Sequence, residues 1–417
     1  MTEIIALASG SRLAYSNVPY VHSVSVGVFV KIGSKNEITS DNGIAHFTEH
    51  VMFKGTSTRD AIRIVEEMDA LGANINAFTS KEMTAYYFQC MDDTVDECSE
   101  ILSDILLHSV FPPEELDKER GVILEEIGMV NDTPDDLSQE LCSTSFWKDC
   151  SLGRAILGLP ENVKRFRSED IRAFVSEHYV AENIVISICG NISKEKAIEL
   201  CEKYFVFPKK EHLPRPVILP SGFGGSIATA IKNTEQANLT LAFPAFSRLD
   251  ERLPALGVLS CALGGGMSSK LFQEVREKLG LVYSIYTYAS SYEDAGSLCL
   301  FFATNPKNLN KALVSIRKCI RSIVSSGFTE YEFRRARQQM KGSLVMGWES
   351  SLSIMKAMGR NAMFFDEPFS IEKRLHDIES LTLDDVNGLL PLIFDTKEIG
   401  VGYVGKKPTC DLSKICK

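Results

Sequence analysis

The chain has 417 residues, of which 44% are hydrophobic and 24% are charged, and its formal net charge is −10. This length predicts two or three globular domains with ample cores, and no apolar run approaches the roughly 20 residues that span a membrane. The acidic balance argues against nucleic acid as a partner and is compatible with basic peptides. The composition therefore predicts a globular protein that binds neither membranes nor nucleic acids.

The N-terminus and the cysteines indicate the compartment. Residues 1–6 lack the basic start and long apolar core of a secretion signal, and they lack the Arg- and Ser-rich character of a transit peptide. The 11 cysteines are scattered without a CxxC pair, and an odd number without a secretion signal is typical of reduced thiols. We therefore expect a cytoplasmic protein.

The first segment with clear chemical content follows a strand-like run over residues 23–31. His46 and His50 are four positions apart, so a helix would place both imidazoles on one face. That arrangement suits a single Zn²⁺, and Glu49 beside it could reach a metal-bound water. The order H-x-x-E-H is the inverse of the H-E-x-x-H metalloprotease motif. A helix with two core histidines is the alternative interpretation.

A second informative helix is predicted over residues 113–127, since prolines precede it and acidic residues fill its first turn. Glu119 and Glu126 are seven positions apart and share a face, whereas Glu125 points roughly 100° away from Glu126. An acidic helix is usually just a solvated face. Beside the histidine motif, however, it offers the third ligand that a zinc hydrolase needs and a carboxylate that could orient the site.

The chain divides near its middle and then repeats. Residues 207–216 are polar and proline-rich and predict a linker. Asp170 and Gly190 recur as Asp385 and Gly405, each 215 positions later, which indicates an internal repeat of a whole domain. We therefore predict an α+β fold of two homologous domains, each an antiparallel-rich sheet with helices packed on one face. The predicted domains are residues 1–210 and 224–417, with a linker over residues 211–223.

The repeat also provides an internal comparison for the metal-binding pattern. An ungapped 215-residue offset assigns other residue types to the same positions of the second copy: Cys261 for His46, Gly264 for Glu49, Gly265 for His50 and Lys341 for Glu126. The metal set is thus present in one copy, which favours chemistry in the N-terminal half and a supporting role for the other. Residues 262–270 are glycine-rich but lack the GxxxxGK[ST] spacing of a phosphate-binding loop.

Taken together, these motifs resemble the pitrilysin (inverzincin) family of zinc peptidases, in particular the branch of processing-peptidase β-subunits and their bacterial homologues. The resemblance covers about residues 11–405, and the 76 positions between His50 and Glu126 match the spacing in that family. It rests on these segments: His46-Phe47-Thr48-Glu49-His50 with Phe53-Lys54-Gly55-Thr56, residues 119–126, Asn76-Ala77-Phe78-Thr79, and Thr84-Ala85-Tyr86-Tyr87.

This resemblance implies a catalytic zinc site. His46, His50 and Glu126 would bind Zn²⁺ and leave one position for a water molecule, whose pKa the ion lowers towards 7. Glu49 would take a proton from that water and deliver it to the leaving amine. Glu119 would orient a zinc-binding histidine.

The resemblance also implies a peptide substrate. Asn76, Ala77 and Phe78 would lie in a strand whose exposed backbone pairs with an extended peptide. In the second half, Arg276 and Tyr283 resemble a family pair that reaches the substrate near the zinc. By residue type alone, an Arg on a helix surface and a Tyr entering a strand would be the simpler interpretation.

The expected function is therefore that of a zinc metalloendopeptidase acting on short or unfolded peptides, including presequence-like ones. A non-catalytic zinc-binding scaffold or partner subunit is the alternative, and a zinc hydrolase of non-peptide amides is a third reading. Long members of the family enclose their substrate with four homologous domains in one chain, whereas this chain has two. We therefore expect a homodimer, the commonest kind of oligomer.

Overall fold

The structure, a computed structural model, describes residues 2–148, 150–212, 214, 217–220, 225–408 and 410–412. No helix in this part of the chain is both long and apolar enough to cross a bilayer. In chain order, and leaving out the short 3-10 turns, the elements are β1 (Thr2–Ala6), β2 (Arg12–Asn17), β3 (Ser23–Val30), α1 (Ile44–Met52), α2 (Ala61–Ala70), β4 (Asn74–Thr79), β5 (Thr84–Met91), α3 (Val95–His108), α4 (Pro113–Asp132), α5 (Pro134–Phe146), α6 (Pro160–Val163), α7 (Ser168–His178), β6 (Ile184–Gly190), α8 (Lys194–Tyr204), β7 (Ile227–Ile231), β8 (Ala237–Ala245), α9 (Leu253–Gly264), a π-helix (Phe272–Glu277), β9 (Ser284–Ser291), β10 (Gly296–Thr304), α10 (Leu309–Ser326), α11 (Glu330–Gly347), α12 (Ser351–Phe365), α13 (Ile371–Glu379), α14 (Leu383–Asn387), α15 (Leu389–Phe394) and β11 (Gly400–Gly405).

The chain forms two compact units, each built on one sheet. Unit 1 comprises Met1–Ile127, Arg154–Val217 and Met346–Ile371, and unit 2 comprises Gly128–Gly153, Ile218–Val345 and Glu372–Lys417. The sheet of unit 1 has the strand order β1-β2-β6-β3-β5-β4. Its neighbouring strands are antiparallel except for the parallel pair β2 and β6.

The sheet of unit 2 repeats this order without the first strand. Its strands run β7-β11-β8-β10-β9, and its one parallel pair is β7 with β11. Each of these five strands therefore has a counterpart at the same place in the sheet of unit 1. The predicted α+β fold, with two homologous domains on antiparallel-rich sheets, is confirmed.

One face of each sheet carries the main helical layer. In unit 1, Val26 and Val28 of β3 point to the same face because side chains alternate along a strand. They join one buried core with Phe47 of α1 and Ile105 of α3. Burying a side chain of this size contributes about 1.5–3 kcal/mol relative to leaving it exposed, so this core fixes α1 on the sheet.

The opposite face of each sheet is also covered by a helix. The sequence predicted helices on one face only. In unit 1 this helix is α12, whose Met355 and Met358 are buried with Phe29 of β3. In unit 2 it is α5, whose Cys142 and Phe146 belong to a buried cluster with strand residues. Each of these helices comes from the other half of the sequence.

The compact units therefore differ from the contiguous domains 1–210 and 224–417 that the sequence predicted. The chain changes units at five places, and one of them, between Val217 and Ile218, lies within the predicted linker. Residues 213, 215, 216 and 221–223 of that linker lie outside the described residues. The difference arises from two helices. The N-terminal helix α5 packs on the sheet formed by the C-terminal strands, and the C-terminal helix α12 packs on the sheet formed by the N-terminal strands.

The 215-residue offset holds at the start of one strand pair, deviates by one to five positions at the other four pairs, and fails for the helices that carry the predicted site. β2 and β7 begin 215 positions apart, at Arg12 and Ile227. α9 begins 209 positions after α1, however, and α11 begins 217 positions after α4. The ungapped assignment of Cys261, Gly264, Gly265 and Lys341 is therefore wrong, because loop lengths differ between the copies. α9 nevertheless contains neither His nor Glu.

Candidate metal centre

Helix α1 carries His46, Glu49 and His50 along one side, and its other residues are apolar except for the buried Thr48. It begins after Gly43, whose φ of 105° lies in the left-handed region that favours glycine. A Cβ at this position would also lie only 2.8 Å from Gly158 Cα. The apolar side chains of α1 pack into the core of unit 1, which leaves His46, Glu49 and His50 together on the remaining side.

Helix α4 brings one carboxylate to the two imidazoles. Glu126 Oε2 lies 3.7 Å from His46 Nε2 and 3.5 Å from His50 Nε2. One ligand atom from each of these three residues lies within 4.8 Å of the other two, and no other group of three metal-binding side chains occurs among the residues described. The neighbouring Glu125 is exposed and does not belong to the group.

Glu119, two turns before Glu126 on α4, holds the other nitrogen of His50. Its Oε2 lies 3.0 Å from His50 Nδ1, and its Oε1 lies 2.7 Å from Lys54 Nζ. A hydrogen bond at Nδ1 fixes the orientation of the ring and leaves Nε2 free to act as a ligand. The sequence predicted the role of Glu119 but gave none to Lys54, whose contact depends on the packing of α1 against α4.

Glu49 is bound by a residue that sequence reasoning did not select. The hydroxyl of Thr79, at the end of β4, donates a hydrogen bond to Glu49 Oε2. Burial raises the pKa of Glu49 above its usual value, although Thr79 and His50 act in the opposite direction. A carboxylate whose pKa lies closer to neutrality is better suited to exchanging protons. Thr79 follows the predicted strand residues directly, but only the position of β4 beside α1 reveals the contact.

The environment keeps one imidazole neutral and charges the other more easily. Burial and the neighbouring His50 lower the pKa of His46 to about 3. Burial also lowers the pKa of His50, but Glu119, Glu126 and Glu49 outweigh it and raise that pKa overall. A metal ion binds imidazole in its neutral form, and the surrounding carboxylates that attract a proton to His50 would equally attract a cation.

The predicted substrate strand is an edge of the sheet. β4 pairs with β5 on one side only, and Ser80 N–H donates to Met83 O at the hairpin end. Because hydrogen-bonded pairs alternate along an antiparallel ladder, the backbone groups of Ala77 and Thr79 point to the open edge. Asn76 Oδ1 accepts a hydrogen bond from the Ala77 N–H at 2.7 Å, which agrees with this orientation.

Phe78 lies on the other face of β4 from Thr79. Its ring centroid is 6.2 Å from that of Tyr87, and it packs against the buried cluster that includes α12. Lys356 Nζ of α12 lies 5.8 Å from the centroid of the Phe78 ring. The side chains of the predicted substrate strand are therefore divided between the two faces of the sheet.

Arg276 and Tyr283 belong to unit 2 and lie close to each other. Arg276 is in the π-helix Phe272–Glu277, a rare conformation that is frequent at functional sites. Its guanidinium carbon lies 5.9 Å from the centroid of the Tyr283 ring and 4.5 Å from that of Phe272. Tyr283 precedes β9 and is 71% exposed. The two side chains thus form a pair at the surface of this unit.

Unit 2 also contains an acidic cavity that the sequence did not predict. The cavity has a volume of about 330 Å³ and lies between α5 and the sheet. Asp136 and Glu140, one turn apart on α5, line it together with the aromatic rings of Trp147, Tyr288 and Tyr292. Carboxylates and ring faces both attract cations, so the cavity suits a positively charged group.

The three residues that α1 and α4 bring together, His46, His50 and Glu126, fit a zinc ion. Two imidazole nitrogens and one carboxylate oxygen are the three-ligand set of many catalytic zinc sites. His46 Nδ1 is buried without a hydrogen-bond partner among the described residues, and the neutral ring has Nε2 directed at Glu126. His50 and Glu126 complete a set of donors that converge on one point.

The fold and this cluster agree with the two-domain M16 peptidase class, and the sequence comparisons show that family. Residues 12–159 match the family described as insulinase (peptidase family M16), and residues 165–340 match the peptidase M16 inactive domain. The chain belongs to peptidase family M16. It is 38% identical to the uncharacterized zinc protease YmxG of Bacillus subtilis over 93% of this chain and 94% of that protein. It is 36% identical to an uncharacterized zinc protease of Streptomyces coelicolor over 92% and 85% of the two chains.

Solved structures share the fold. A peptidase M16 inactive domain from Pseudomonas fluorescens matches with a TM-score of 0.91 at 19% identity, covering 98% of this chain and 99% of the other. A protease from Helicobacter pylori matches with a TM-score of 0.89 at 20% identity, covering 97% and 99%. Together with the family matches and the 38% identical relative, these findings confirm the resemblance to pitrilysin-type zinc peptidases noted in the sequence.

Proposed function

We propose that this protein is a zinc metalloendopeptidase in which His46, His50 and Glu126 bind the metal. The observation that carries the proposal is the convergence of these ligand atoms within 4.8 Å, with the carboxylate of Glu49 one position from His50 on the same helix. A structural zinc site uses four protein ligands, whereas three ligands leave a position for chemistry. The carboxylate of Glu49, which is not needed as a ligand, is available as a base.

The side chains divide the work of peptide hydrolysis. A zinc ion in this site would lower the pKa of water and polarise the scissile carbonyl. Glu49 accepts the proton of the attacking water and returns it to the leaving amine. Thr79 holds the Glu49 carboxylate through its hydroxyl. Glu119 orients His50 from the opposite side of the ring.

The open edge of β4 supports a peptide as the substrate. An extended peptide can add to this edge through the outward backbone groups of Ala77 and Thr79, which requires no particular side chains. To bind there, the peptide must displace the Asn76 side chain from the Ala77 N–H. Thr79 lies at the end of the strand and its hydroxyl donates a hydrogen bond to Glu49. A peptide paired with β4 would therefore extend close to the proposed base, Glu49. This mode selects short or unfolded peptides.

The acidic cavity of unit 2 supports a preference for peptides with basic side chains. Asp136 and Glu140 line it with three aromatic residues, and an Arg or Lys side chain would satisfy both kinds of group. Presequence-like peptides, which are rich in basic residues, are one such substrate class. Arg276 and Tyr283 of the same unit are proposed to contact the peptide as well.

A non-catalytic scaffold or partner subunit is the competing proposal. Residues 165–340 match a family called the peptidase M16 inactive domain, and the described residues of unit 2 contain no group of three metal-binding side chains. Unit 1, however, holds the three ligand residues in one cluster and has Glu49 beside His50 on the same helix, which a purely structural partner would not need. A zinc hydrolase of non-peptide amides is disfavoured by the open strand edge.

We further propose that two copies of the chain form a homodimer with two equivalent zinc sites. The chain contains two homologous units, and a symmetric pair would supply four. Light scattering at micromolar concentration should give a mass of about 93 kDa, twice the 46.3 kDa of the chain. A fully active 46.3 kDa monomer would contradict this proposal, and an inactive monomer rescued by a homologous partner would indicate a heterodimer.

The function is tested by incubating the purified protein with a diverse peptide mixture and identifying the products by mass spectrometry. We expect internal cleavage, about one zinc ion per chain by elemental analysis, and loss of cleavage after treatment with a chelator. Zinc should restore it. Protein that binds zinc stoichiometrically and cleaves no peptide would favour the scaffold.

A further inference from the structure

A buried carboxylate lies at the start of the helix that carries His46, Glu49 and His50. Glu37 is fully buried, with no exposed surface, and precedes α1 by several residues. It forms no ion pair among the described residues, yet a buried charge is costly unless hydrogen bonds compensate for it. Its position therefore calls for partners that stabilise a negative charge.

Those partners are donors at the N-terminus of α1. Glu37 Oε2 accepts hydrogen bonds from the Gly43 N–H at 2.8 Å and from Asn42 Nδ2 at 2.7 Å. Glu37 Oε1 accepts one from the Ala45 N–H at 2.9 Å. The first N–H groups of a helix lack partners within the helix and carry a partial positive charge. Both oxygens of the Glu37 carboxylate thus cap the N-terminus of α1, and the last of these bonds is to Ala45, one residue before His46.

The surrounding backbone leaves this arrangement little freedom. Asn42 Nδ2 also donates to Ala155 O at 2.8 Å, and Asn162 Nδ2 donates to Asn42 O at 3.1 Å. The close approach of Gly43 to Gly158 adds a steric limit. The N-terminus of α1 is therefore held by hydrogen bonds on one side and by backbone contact on the other.

The segment that contains Glu37 also contacts the hairpin between β4 and β5. The Lys35 N–H donates to Lys81 O at 2.8 Å, and a Cβ at Gly33 would lie 2.3 Å from Ser80 O. Lys35 Nζ and Glu82 Oε1 form a buried ion pair at 3.0 Å. The same short segment therefore ties the start of α1 to the end of β4, where Thr79 binds Glu49.

We infer that Glu37 is a positioning residue for the proposed zinc site, acting as a carboxylate clamp that sets the position of α1 and hence of His46, Glu49 and His50. The inference rests on the proposed function. A small displacement of α1 would move two ligands and the base together relative to Glu126 on α4. Misplacement by about 1 Å can reduce the rate of a catalysed reaction about 100-fold.

The test compares Glu37→Gln with a matched control in unit 2. Gln keeps one acceptor oxygen but replaces the other by an NH2 donor, which then faces either the Ala45 N–H or the two donors of Gly43 and Asn42. One side of the clamp is therefore lost while the size of the side chain is kept. The control is Glu332→Gln. Glu332 Oε2 accepts the Thr329 N–H at 2.8 Å before α11, and Glu332 Oε1 pairs with Lys270 at 2.8 Å, so this substitution also removes a capping carboxylate.

Each variant is characterised by zinc affinity in a chelator competition, by the visible spectrum of the Co²⁺-substituted protein, and by kcat and KM for one peptide. For Glu37→Gln we expect a loss of roughly 10–100-fold in zinc affinity, an altered Co²⁺ spectrum and a lower kcat with little change in KM. Glu332→Gln should match the wild type in all of these. A Glu37→Gln variant with the same spectrum, affinity and kcat as Glu332→Gln would overturn the inference.

Glu37→Asp decides the question if Glu37→Gln does not fold. It keeps the charge but is one methylene shorter, so it cannot reach Gly43 and Ala45 together, and we expect a smaller loss in the same direction. An unchanged Co²⁺ spectrum and kcat in Glu37→Asp would again contradict the clamp. Failure of the proposed function is seen separately, since wild-type protein would then show no zinc-dependent cleavage.

Discussion

The two units of this protein share a strand order and differ in the chemistry of the helix that packs on it. In unit 1, α1 carries His46, Glu49 and His50, and α4 adds Glu126. In unit 2, the helix α9 follows the corresponding strand and is apolar almost throughout, with neither His nor Glu. The same sheet thus carries a helix with candidate metal ligands in one copy and an apolar helix in the other. The chemistry depends on a few side chains on two helices rather than on the fold.

The opposite faces of the sheets show a second difference. Ser187 of β6 donates a hydrogen bond to Met355 O of α12, and its strand neighbour is Gly27. The counterpart pair in unit 2 is Gly402 and Thr240, and there Thr240 Oγ1 lies 2.9 Å from Ser138 Oγ of α5. Each unit therefore places one glycine and one hydroxyl beneath its covering helix, but on exchanged strands.

The largest expected effect concerns the base in unit 1. Glu49→Gln keeps the size of the side chain and removes its ability to accept a proton. We predict retained zinc and fold, with kcat lower by about 10²–10⁴-fold, the range typical of lost acid–base catalysis. Zinc content is measured beside single-turnover rates. Turnover near the wild-type value in the zinc-loaded variant would refute the assignment of Glu49.

The ligand on α4 can be separated from its neighbour by a paired substitution. Glu126→Gln should lower zinc affinity by at least about 100-fold because it removes a charged ligand. Substituting a residue that only hydrogen-bonds to a ligand should lower the affinity by less than this. Glu125→Gln should leave the affinity unchanged because Glu125 is exposed and outside the cluster. Chelator competition measures both. Equal zinc affinities would show that Glu126 is not the third ligand.

Adding one methyl group beneath the covering helix should lower the stability of the protein by different amounts in the two units. A Cβ at Gly402 would lie 2.0 Å from Ser138 O and 2.6 Å from Cys142 N, both backbone atoms of α5. A Cβ at Gly27 would instead meet the flexible end of Met355, at 2.5 Å. Gly402→Ala should therefore destabilise the protein by about 1–3 kcal/mol, and Gly27→Ala by clearly less.

Denaturant unfolding of the metal-free protein measures this difference. Both variants are compared with the wild type under the same conditions, and the slope of the transition shows whether unfolding remains cooperative. Equal losses of stability in the two variants would mean that α12 is as rigid against its sheet as α5, and that the side chain of Met355 cannot move away.

Local patterns in the sequence allowed the core of the candidate site to be predicted. His46, Glu49 and His50 lie within one helical turn and a half, so helix periodicity alone groups them, and Glu119 and Glu126 share a face for the same reason. Thr79, Lys54 and Glu37 were not predicted, because their roles depend on which strand and which turn lie beside α1. Those contacts join segments far apart in sequence and leave no periodic signal.

The fold was predictable to the level of two repeated α+β domains. The exchange of α5 and α12 was not, because an amphipathic helix shows that it covers a sheet without showing which one. The ungapped offset was correct for Arg12 and Ile227 at the strand starts and failed at α1, where the connecting loops differ in length. Loop lengths carry little packing energy and so vary freely between copies.

The smallest expected effect comes from substitutions in the acidic cavity of unit 2, which test whether this unit takes part in substrate selection. The cavity beneath α5 is lined by Asp136 and Glu140, so the double variant Asp136→Asn/Glu140→Gln should lose its preference for peptides with basic side chains. Partly exposed charge pairs contribute about 0.5–1 kcal/mol each, so kcat/KM for a basic peptide should fall by about tenfold. The value for a neutral peptide should remain unchanged.

Asp135→Asn is the matched control, since Asp135 is exposed on the same helix and does not line the cavity. An equal loss for basic and neutral peptides would show that the cavity does not discriminate between peptides by charge.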